Sequence, residues 1–502
     1  MRFKKRDENI LNYARKVSLV VPEDDARVLD GQSKICNWLK NRLKDEVEDR
    51  IKLLADIPKP AQGEEPSDQA KELLQAIYTA QGLRNLVPEL KEQFPFLKVV
   101  HSSPLKNIAL RVADTIDRFQ KSKRKQGKAA AHSQWLAYSS WKRDWTSLEY
   151  EEPNKGWNVE EFGWLRLSLG ANAEGRRLAV RLKLVDPPKH MARARSCRII
   201  REGRDRYYAV FTFKRKKEAI EDGDRFVYLD PNHKNFAYGV DNSGNAFEIA
   251  NLSKLAAAEK SLDKLKGYRD KCKKKSLWVD TVRNDGTVGT HWHPSRKWQR
   301  YQDAVTRLES KVRDQKKHFM YSLANRLMRE YDVIGIGDYV PASADHGKGA
   351  VYNRAVVNRT FHGRFKRILT WVGQRSRKRV LVMDETGTTR TCHCCGHAVE
   401  GGIHPEIREW TCPQCLSVHI RDENACQNGL QRLASQMASE ADCPHLPCLG
   451  HQSVVRRCNW RFSAQGWEGV PKRRRQSKLN APTKLSGGDP SPRRDGRQPK
   501  RS

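Results

Sequence analysis

The chain has 502 residues, and its 95 Lys and Arg against 60 Asp and Glu give a formal net charge of +35. This length predicts about three domains of roughly 150 residues each. The charge favours nucleic acid as the partner, because a cationic surface releases counterions from phosphates; an acidic membrane is the alternative. The chain lacks an apolar run of about 20 residues and a secretory signal at its start, so we expect a soluble intracellular protein.

The first part of the chain, residues 1 to about 150, is predicted to be mostly helical. Apolar residues recur at helical spacing from Leu105 to Phe119. An earlier stretch with the same spacing contains Ile35, Leu39, Leu43, Val47, Ile51 and Leu54. The prolines of segment 58–66 interrupt this pattern, because proline cannot continue a helix. The basic run 121–128 is either a solvated turn or a contact to a nucleic-acid backbone.

Residues from about 155 to 220 follow a period of two instead. Apolar residues alternate with polar or basic ones in 164–169, 177–184 and 207–213, which is typical of strands with one face in a core. We predict a small antiparallel sheet or barrel. Its cationic outer face fits an RNA backbone, although lysine and arginine on open strands also protect a sheet edge against pairing.

Strands and helices alternate in the next part of the chain. Strands are predicted at 226–230, 236–240, 333–338 and 379–385, and helices near 253–275, 297–330 and 361–375. This order favours a three-layer α/β core with a mixed sheet, of the kind that nucleases use. The tail from about 470 combines Lys and Arg with Gly, Pro and Ser, and it is predicted to be disordered.

Two CxxC pairs follow the last of these strands. They are Cys392 with Cys395 and Cys412 with Cys415, which have the ligand number and spacing of a tetrahedral Cys₄ zinc ribbon. We interpret Cys394 as a neighbour of the ligands, and we expect reduced thiolates rather than disulfides. Another group has a spacing that fits no standard metal site: Cys443, His445, Cys448 and His451.

Three acidic residues stand at positions where such a core can bring them together. Asp230 ends one predicted strand, Glu385 ends another, and Asp422 begins a helix after the ribbon. A lone acid at a strand end is more often a turn former or a helix cap. Three of them beside a ribbon in a basic chain favour a two-ion centre for phosphodiester hydrolysis, and hard carboxylate oxygens select Mg²⁺ or Mn²⁺.

Several motifs resemble one family. LDPNHKNFA at 229–237 resembles the first RuvC motif of the transposon-encoded TnpB nucleases, the eukaryotic Fanzor proteins and the compact type V CRISPR effectors. TTRTCHCCG at 388–396 resembles the start of their zinc ribbon, and RDENACQN at 421–428 resembles their third RuvC motif. The segments 198–201 and 208–211 are similar to the end of their wedge domain. The resemblance extends over roughly 160–430 and is most specific in the catalytic half.

The chain departs from this family at one catalytic position. The family usually carries a glutamate at the end of the second RuvC strand, where this sequence has Gly337. Either the nuclease is weakened or dead, or Glu385 on the next strand supplies the ligand, as the resemblance to Fanzor proteins and to a rearranged TnpB subgroup implies. Asp338 is a third candidate, but one residue further along a strand its side chain points to the opposite face unless the strand has ended.

The resemblance implies a multidomain α+β fold with four parts, two for recognition and two for catalysis. These are an N-terminal β-barrel-like wedge with a helical recognition lobe, and a C-terminal RuvC (RNase H-like α/β) nuclease domain with an inserted zinc ribbon. The expected boundaries are 1–30 for the start of the wedge, 31–150 for the helical lobe, 151–220 for the wedge barrel, 221–390 for the RuvC-like domain, 391–417 for the ribbon that binds target nucleic acid, 418–435 for the end of the RuvC domain, and 436–502 for a basic, largely disordered tail.

The expected function is that of an RNA-guided DNA endonuclease with Mg²⁺ (or Mn²⁺) and Zn²⁺ as cofactors. A guide RNA and a double-stranded DNA target would be its partners, and no membrane is expected; a homodimer stays open. The alternative is an RNA-guided DNA-binding protein that does not cut, and a more remote one is an unguided zinc-ribbon protein. The expected location is the bacterial cytoplasm at the nucleoid, or the nucleus if the host is eukaryotic. The run 471–475 resembles a nuclear localisation signal, and a nonspecific phosphate-binding tail is at least as good an interpretation.

Overall fold

The computed structural model describes residues 9–58, 60, 64–126, 135–140, 145–221, 223–232, 234–253, 255–282, 288–339, 361–404, 406–439, 454–463 and 465–471. The chain divides into two units. The first contains Met1–Asp224, Leu252–Val333 and Phe361–Leu381, and the second contains Arg225–Asn251, Ile334–Thr360 and Val382–Ser502. Within the described residues, no helix combines the length and the apolar character that crossing a membrane requires.

The described α-helices are α1 (Glu23–Asp56), α2 (Asp68–Tyr78), α3 (Ala80–Gln93), α4 (Ser102–Gln126), α5 (Leu255–Lys273), α6 (Arg296–Glu330), α7 (His362–Ser376) and α8 (Arg421–Ser439). The described strands are β1 (Ile10–Val20), β2 (Leu148–Tyr150), β3 (Trp157–Glu160), β4 (Trp164–Ala171), β5 (Arg177–Val185), β6 (Ser196–Glu202), β7 (Arg206–Lys216), β8 (Phe226–Pro231), β9 (Ala237–Asp241), β10 (Asn245–Ile249), β11 (Leu277–Val282), β12 (Val288–His293), β13 (Val333–Gly337), β14 (Arg379–Met383), β15 (Glu409–Thr411), β16 (Val418–Ile420), β17 (Arg456–Ser463) and β18 (Gly466–Pro471).

The first unit contains an antiparallel sheet in the order β2-β6-β7-β1-β5-β4-β3. The expectation that residues 1–150 are mostly helical is wrong for β1, which pairs with β7 from Ile10 to Leu19. Leu11, Val17 and Leu19 are buried on one face of this strand. The alternation of these residues is a strand signal that the long helical run after Pro22 overshadows.

Helices α1 to α4 of the first unit pack their apolar faces into the same core as the sheet. Helix α1 follows Pro22 and has Glu23, Asp24 and Asp25 in its first turn, where the helix dipole favours negative charge. The predicted helical spacing is confirmed, because Leu39, Leu43 and Val47 are fully buried. The predicted interruption is also confirmed: α1 ends at Asp56 and α2 begins at Asp68, after the cap Ser67.

The second unit contains a mixed sheet, as the sequence predicts. Its order is β14-β13-β8-β9-β10-β17-β18. Strand β8 is antiparallel to β9, whereas β10 is parallel to β17. Helix α8 packs on β8 and β9, and Gly429 of this helix lies directly against the ring of Tyr228 on β8, with no room for a side chain. The absence of a side chain at Gly429 thus lets α8 lie close to the strand that carries Asp230.

The tail from 436 to 502 was expected to be largely disordered, and this expectation is wrong for residues 456–471. They form β17 and β18, and β17 extends the mixed sheet through its parallel pairing with β10. Trp460 on β17 is buried and stacks on Phe247 of β10 with 4.0 Å between ring centroids. Burial of this aromatic pair outweighs the basic composition of the segment. The Cys443 group and the basic run after Pro471 lie outside the described residues.

Candidate functional site

Asp230 is the fifth residue of β8 and lies opposite Tyr238 of β9 in the sheet register. Burial raises the pKa of its carboxyl group well above the ordinary value, and the negative charges of Glu385 and Asp422 raise it further, while Arg421 acts in the opposite direction. The structure therefore brings Glu385 and Asp422 close enough to Asp230 to act on it electrostatically.

Glu385 follows the end of β14 by two residues, and its side chain points to Gly337 at the end of β13. A Cβ atom placed on Gly337 would coincide with the carboxylate of Glu385. The Glu385 carboxylate thus occupies the space beside Gly337, the position at which the resemblance implies a glutamate in most of the family. Asp338, the third candidate, is exposed and follows the end of the strand. Its carboxylate accepts a hydrogen bond from the backbone N–H of Glu385 at 3.4 Å.

The loop that carries Glu385 is held by Arg432 of α8, a residue that sequence reasoning missed. Its guanidinium group donates hydrogen bonds of 3.0 Å to the backbone carbonyls of Asp384 and Thr386. Because these carbonyls flank Glu385, the contact fixes the backbone on both sides of the acid. Arg432 is separated from the loop by more than 40 residues, so its role becomes visible only when α8 lies beside the loop that follows β14.

Asp422 stands in the first turn of α8, where a helix dipole favours a carboxylate. Arg408, which comes just before β15, donates to both of its carboxylate oxygens at 3.2 and 3.3 Å. The backbone carbonyl of Arg408 also accepts from the N–H of Arg421 at 2.8 Å. This cation beside the acids was missed as well, and a planar guanidinium group is suited to both carboxylate and phosphate.

The neighbouring acid, Glu423, has a different role. Arg457 of β17 donates to its two carboxylate oxygens at 2.8 and 2.9 Å, and the hydroxyl of Tyr238 donates to it at 3.1 Å. Glu423 therefore ties the start of α8 to the sheet. This contact distinguishes two adjacent acids that look equivalent in the sequence, and it leaves Asp422 as the one that acts on Asp230.

The four cysteines of the two CxxC pairs come together as predicted. All four sulfur atoms lie within 4.8 Å of one another. Cys392 Sγ is 3.6 Å from Cys415 Sγ, and Cys395 Sγ is 3.6 Å from Cys412 Sγ. Four thiolates at about 2.3 Å from a zinc ion would be about 3.8 Å apart, so the arrangement fits a tetrahedral Zn²⁺ site. Burial raises the pKa of the Cys392 thiol to about 12, a cost that a bound cation would offset.

Each CxxC pair forms the same tight turn. The N–H of Gly396 donates to the carbonyl of Cys392, and the N–H of Leu416 donates to the carbonyl of Cys412, both at 2.9 Å. Gly396 and Leu416 both have positive φ, at 76° and 57°. A glycine meets this requirement without strain, whereas a leucine adopts it only at some cost. The repeated geometry indicates two knuckles facing one ion.

A second possible grouping of ligand atoms consists of Cys392, Cys394 and His419. His419 is buried, and its Nε2 atom lies 3.1 Å from Cys392 Sγ. Because this group offers only three donors and shares Cys392 with the four-cysteine set, the Cys₄ set fits a closed structural zinc site better. In that arrangement His419 neighbours a ligand and can orient its thiolate by a hydrogen bond.

Two asparagines of α8 connect the ribbon to the helix that carries Asp422. The side-chain amides of Asn424 and Asn428 donate to the carbonyl of Thr391 at 2.8 and 2.7 Å. Asn428 also donates to the carbonyl of Thr388 at 2.8 Å, and Asn424 accepts from the N–H of His393 at 3.0 Å. Both amides are buried. The first knuckle is therefore fixed to the first two turns of α8, next to Asp422.

The acids are less tightly grouped than the cysteines. Among the described residues, the groups that place three or more metal-ligand atoms within 4.8 Å of one another contain cysteine and histidine, not the three carboxylates. A centre with two ions about 3.5 to 4 Å apart spreads its ligands over a wider space than one ion does. The hard oxygen donors and the surplus negative charge around Asp230 fit divalent cations such as Mg²⁺.

Part of this chain matches a known domain. The family model described as Cas12f1-like, TNB domain, matches residues 362–428, from α7 through the ribbon to α8. A curated protein of Streptomyces pristinaespiralis, named "Putative RNA-guided DNA endonuclease", is 27% identical over 197 residues, which are 38% of this chain and 44% of that protein. The match thus spans less than half of that relative. The resemblance to the TnpB and compact type V family that the motifs indicate is confirmed.

Solved structures also resemble this chain at low sequence identity. A cryo-EM structure of a Cas12f1–sgRNA–target DNA complex is 11% identical, with a TM-score of 0.41 over 84% of this chain and 99% of that one. A mini-RNA-guided endonuclease, CRISPR-Cas phi3, is 11% identical, with a TM-score of 0.38 over 85% of this chain and 92% of that one. Neither likeness is close enough to define the fold of this chain.

Proposed function

We propose that this protein is an RNA-guided DNA endonuclease whose second unit is a RuvC-like nuclease domain with an inserted zinc ribbon. The observation that carries the proposal is the convergence of Asp230, Glu385 and Asp422, with Glu385 in the space beside Gly337. Guide pairing would read the target sequence, while the protein would bind the A-form duplex by its shape and charge. The net charge of +35 suits such polyanionic partners.

The three carboxylates would hold Mg²⁺, which activates water and stabilises the charge that develops on the phosphate. The residues around them keep this cluster ready. Burial and the two neighbouring acids raise the pKa of Asp230, which would favour a bound cation at this carboxyl group. Arg408 neutralises Asp422, and its guanidinium group is suited to bind a phosphate oxygen of the DNA. Arg432 and the asparagines of α8 position the acids and the ribbon.

The chain's rearranged site distinguishes this proposal from a protein that binds DNA without cutting it. Loss of the family's glutamate at Gly337 would leave two acids, which is the basis of the alternative. The Glu385 carboxylate beside Gly337 favours a working centre, because an acid reaches the vacated space from the next strand. We therefore infer that this protein belongs to the subgroup of nucleases with the relocated glutamate.

The test is to purify the protein with its co-purified RNA, to sequence that RNA, and to assay cleavage of matching DNA in Mg²⁺. Asp230→Asn, Glu385→Gln and Asp422→Asn should each reduce cleavage on the order of a thousandfold, since each removes an oxygen ligand worth several kcal/mol in the transition state. Asp384→Asn is the matched control, because Asp384 is an exposed acid next to Glu385. It should cut like the wild type.

Two outcomes would contradict the proposal. If the protein binds matching DNA tightly in a guide-dependent way but forms no cleavage product in Mg²⁺ or Mn²⁺, it is an RNA-guided DNA-binding protein and not a nuclease. The absence of a discrete co-purified RNA, together with guide-independent DNA binding, would leave an unguided zinc-ribbon protein.

A further inference from the structure

A cleft with aromatic and basic walls lies at the hairpin β11–β12, between α5 and α6 of the first unit. Its volume is about 520 Å³, which falls within the range of roughly 300–1,000 Å³ typical of ligand sites. The cleft is lined by Arg269, Asp270, Lys273, Trp278, Thr290, Trp292 and Trp298. Neither the sequence motifs nor the acidic centre gives this cleft a role.

The tryptophans form a braced platform. Trp278 and Trp292 are opposite each other in the hairpin register, with ring centroids 6.4 Å apart. Trp292 packs edge to face on Trp298, with 4.7 Å between ring centroids. The backbone N–H of Trp298 donates to the hydroxyl of Ser295, the residue that caps the start of α6. Trp278 remains 59% exposed. A large indole ring held in place but open to solvent is suited to stack on another flat ring.

The cations around this platform suit a phosphate chain. Lys273 lies 5.8 Å from the ring centroid of Trp292, and Arg269, which forms an ion pair with Asp270 at 2.8 Å, lies 6.0 Å from that of Trp298. Helix α5 ends at Lys273, and the exposed Lys274 and Lys275 follow it. Stacking surfaces beside lysine and arginine are how proteins bind single-stranded nucleic acid. Lysine is depleted in protein interfaces, so Lys273, Lys274 and Lys275 disfavour a protein partner on this side.

Two polar groups of the cleft favour RNA over DNA. Thr290 donates its hydroxyl hydrogen to Asp280 at 2.7 Å, which leaves its oxygen free to accept. The carboxylate of Asp270 is 61% exposed and also accepts hydrogen bonds. A ribose 2′-hydroxyl can donate to such acceptors, whereas deoxyribose cannot. We propose that this cleft binds an unpaired nucleotide of the RNA that the protein carries, with its base stacked on Trp278.

This inference rests on the proposed function only in taking the bound RNA as the occupant, and its test measures binding rather than cleavage. The full-length protein, freed of nucleic acid, is titrated with a fluorescent single-stranded oligouridine. Trp278→Ala should raise the Kd about 5- to 150-fold, the range expected for one lost stacking contact. Trp278→Phe should restore most of the affinity, because phenylalanine still offers a ring.

The matched control is Leu277→Ala. Leu277 is the preceding residue of the same strand and is 72% exposed, but strand alternation turns its side chain to the opposite face of the hairpin. This variant should bind oligouridine like the wild type. Equal losses in Leu277→Ala and Trp278→Ala would overturn the inference. So would hairpin-dependent self-association in light scattering, which would make a second copy of this chain the occupant.

An oligodeoxyuridine of the same length distinguishes RNA from DNA. We expect it to bind more weakly, and Trp278→Ala should change its Kd little. If Trp278→Ala raises the Kd of both oligonucleotides by the same factor, the occupant of the cleft is single-stranded DNA and not RNA. Photocrosslinking of 5-bromouridine RNA to the full-length protein supports the inference if the adduct maps to the peptide with Trp278, and it contradicts it if adducts map only elsewhere. If the protein cleaves DNA under RNA guidance but Trp278→Ala does not weaken oligouridine binding, the cleft inference is wrong and the proposed function stands. If the protein does not bind RNA at all, both the cleft inference and the proposed function are wrong.

Discussion

The carboxylate of Glu385 fills the space that a side chain at Gly337 would need. Strand β13 ends at Gly337 and strand β14 ends at Met383, so the loop after β14 delivers the acid to the end of the neighbouring strand. A carboxylate therefore lies beside Gly337 at the end of β13, although it is carried by the loop after β14. Glycine at 337 and glutamate at 385 depend on each other.

This dependence predicts the result of a residue exchange. Glu385→Ala should reduce cleavage on the order of a thousandfold, and Gly337→Ala on the order of a hundredfold, because its methyl group displaces the Glu385 carboxylate. The double variant Gly337→Glu with Glu385→Ala should cut at least about tenfold faster than Glu385→Ala alone, since it removes the clash and returns an acid. Rates under single-turnover conditions are the measurement. A double variant no better than Glu385→Ala would show that the two positions are not equivalent.

The raised pKa of Asp230 predicts a pH-dependent stability. Burial is the main cause, followed by the charges of Glu385 and Asp422. A carboxyl group whose pKa is higher in the folded than in the unfolded state stabilises the fold at low pH, and this contribution is lost as the pH rises through the folded-state pKa. In magnesium-free buffer we expect the Tm to fall with rising pH over this range. Added Mg²⁺ should reverse the fall, and its affinity should increase with pH.

Asp230→Asn isolates the source of this dependence. The amide has nearly the same shape and cannot ionise, so the variant should lose the downward slope of Tm with pH while it also loses cleavage. Thermal unfolding of both proteins across a pH series, with and without Mg²⁺, is the measurement. Identical slopes in the wild type and in Asp230→Asn would assign the effect to other groups.

The four clustered cysteines and the three acids could be predicted as a site from the sequence, because their spacing and residue type carry the chemistry. The motif around Asp422 was recognised as a whole, but the separate duties of Glu423 and Asn428 within it were not. Their partners, such as Arg457 and Thr388, lie on other elements. Roles of this kind depend on which elements pack together, and a sequence pattern does not state that.

The missed elements share a different cause. Strand β1 stands next to a helix of 34 residues, and β17 stands in a segment dominated by basic residues, so in each case the stronger neighbouring signal hid a short alternation. The hairpin β11–β12 lies in the gap between the predicted helices 253–275 and 297–330, where no element was predicted. Its pairing of Trp278 with Trp292 is not local, and only the folded register brings the rings together.

Arg432 is predicted to position Glu385 without acting as a ligand. Its hydrogen bonds to the carbonyls of Asp384 and Thr386 fix the loop. Arg432→Ala should therefore reduce kcat about 10- to 100-fold, as losses around metal ligands do, and raise the Mg²⁺ concentration needed for half-maximal rate, with the KM for DNA nearly unchanged. Gln436→Ala, an exposed change one turn further along α8, is the control. A Mg²⁺ requirement equal to that of the wild type would contradict the positioning role.

Removal of zinc should abolish cleavage even in excess Mg²⁺. The ribbon is fixed to α8 through Asn424 and Asn428. Unfolding of the ribbon therefore releases the start of the helix that carries Asp422. Binding of a structural zinc contributes about 10 to 16 kcal/mol to folding such a site. Cys395→Ser should lose zinc and activity together. Asn428→Leu should retain zinc but cut about tenfold more slowly, because only the connection is broken.

Cys394 provides the matched control for the zinc ligands. It stands next to Cys395, but it belongs to the three-atom group with His419 and not to the Cys₄ set. Cys394→Ser should therefore keep one zinc per chain, measured by inductively coupled plasma mass spectrometry, and should cut like the wild type. If Cys394→Ser loses zinc while Cys395→Ser retains it, the ion is held by Cys392, Cys394 and His419 instead. The ribbon would then present an open site, because three protein ligands leave one position of a tetrahedral zinc ion free.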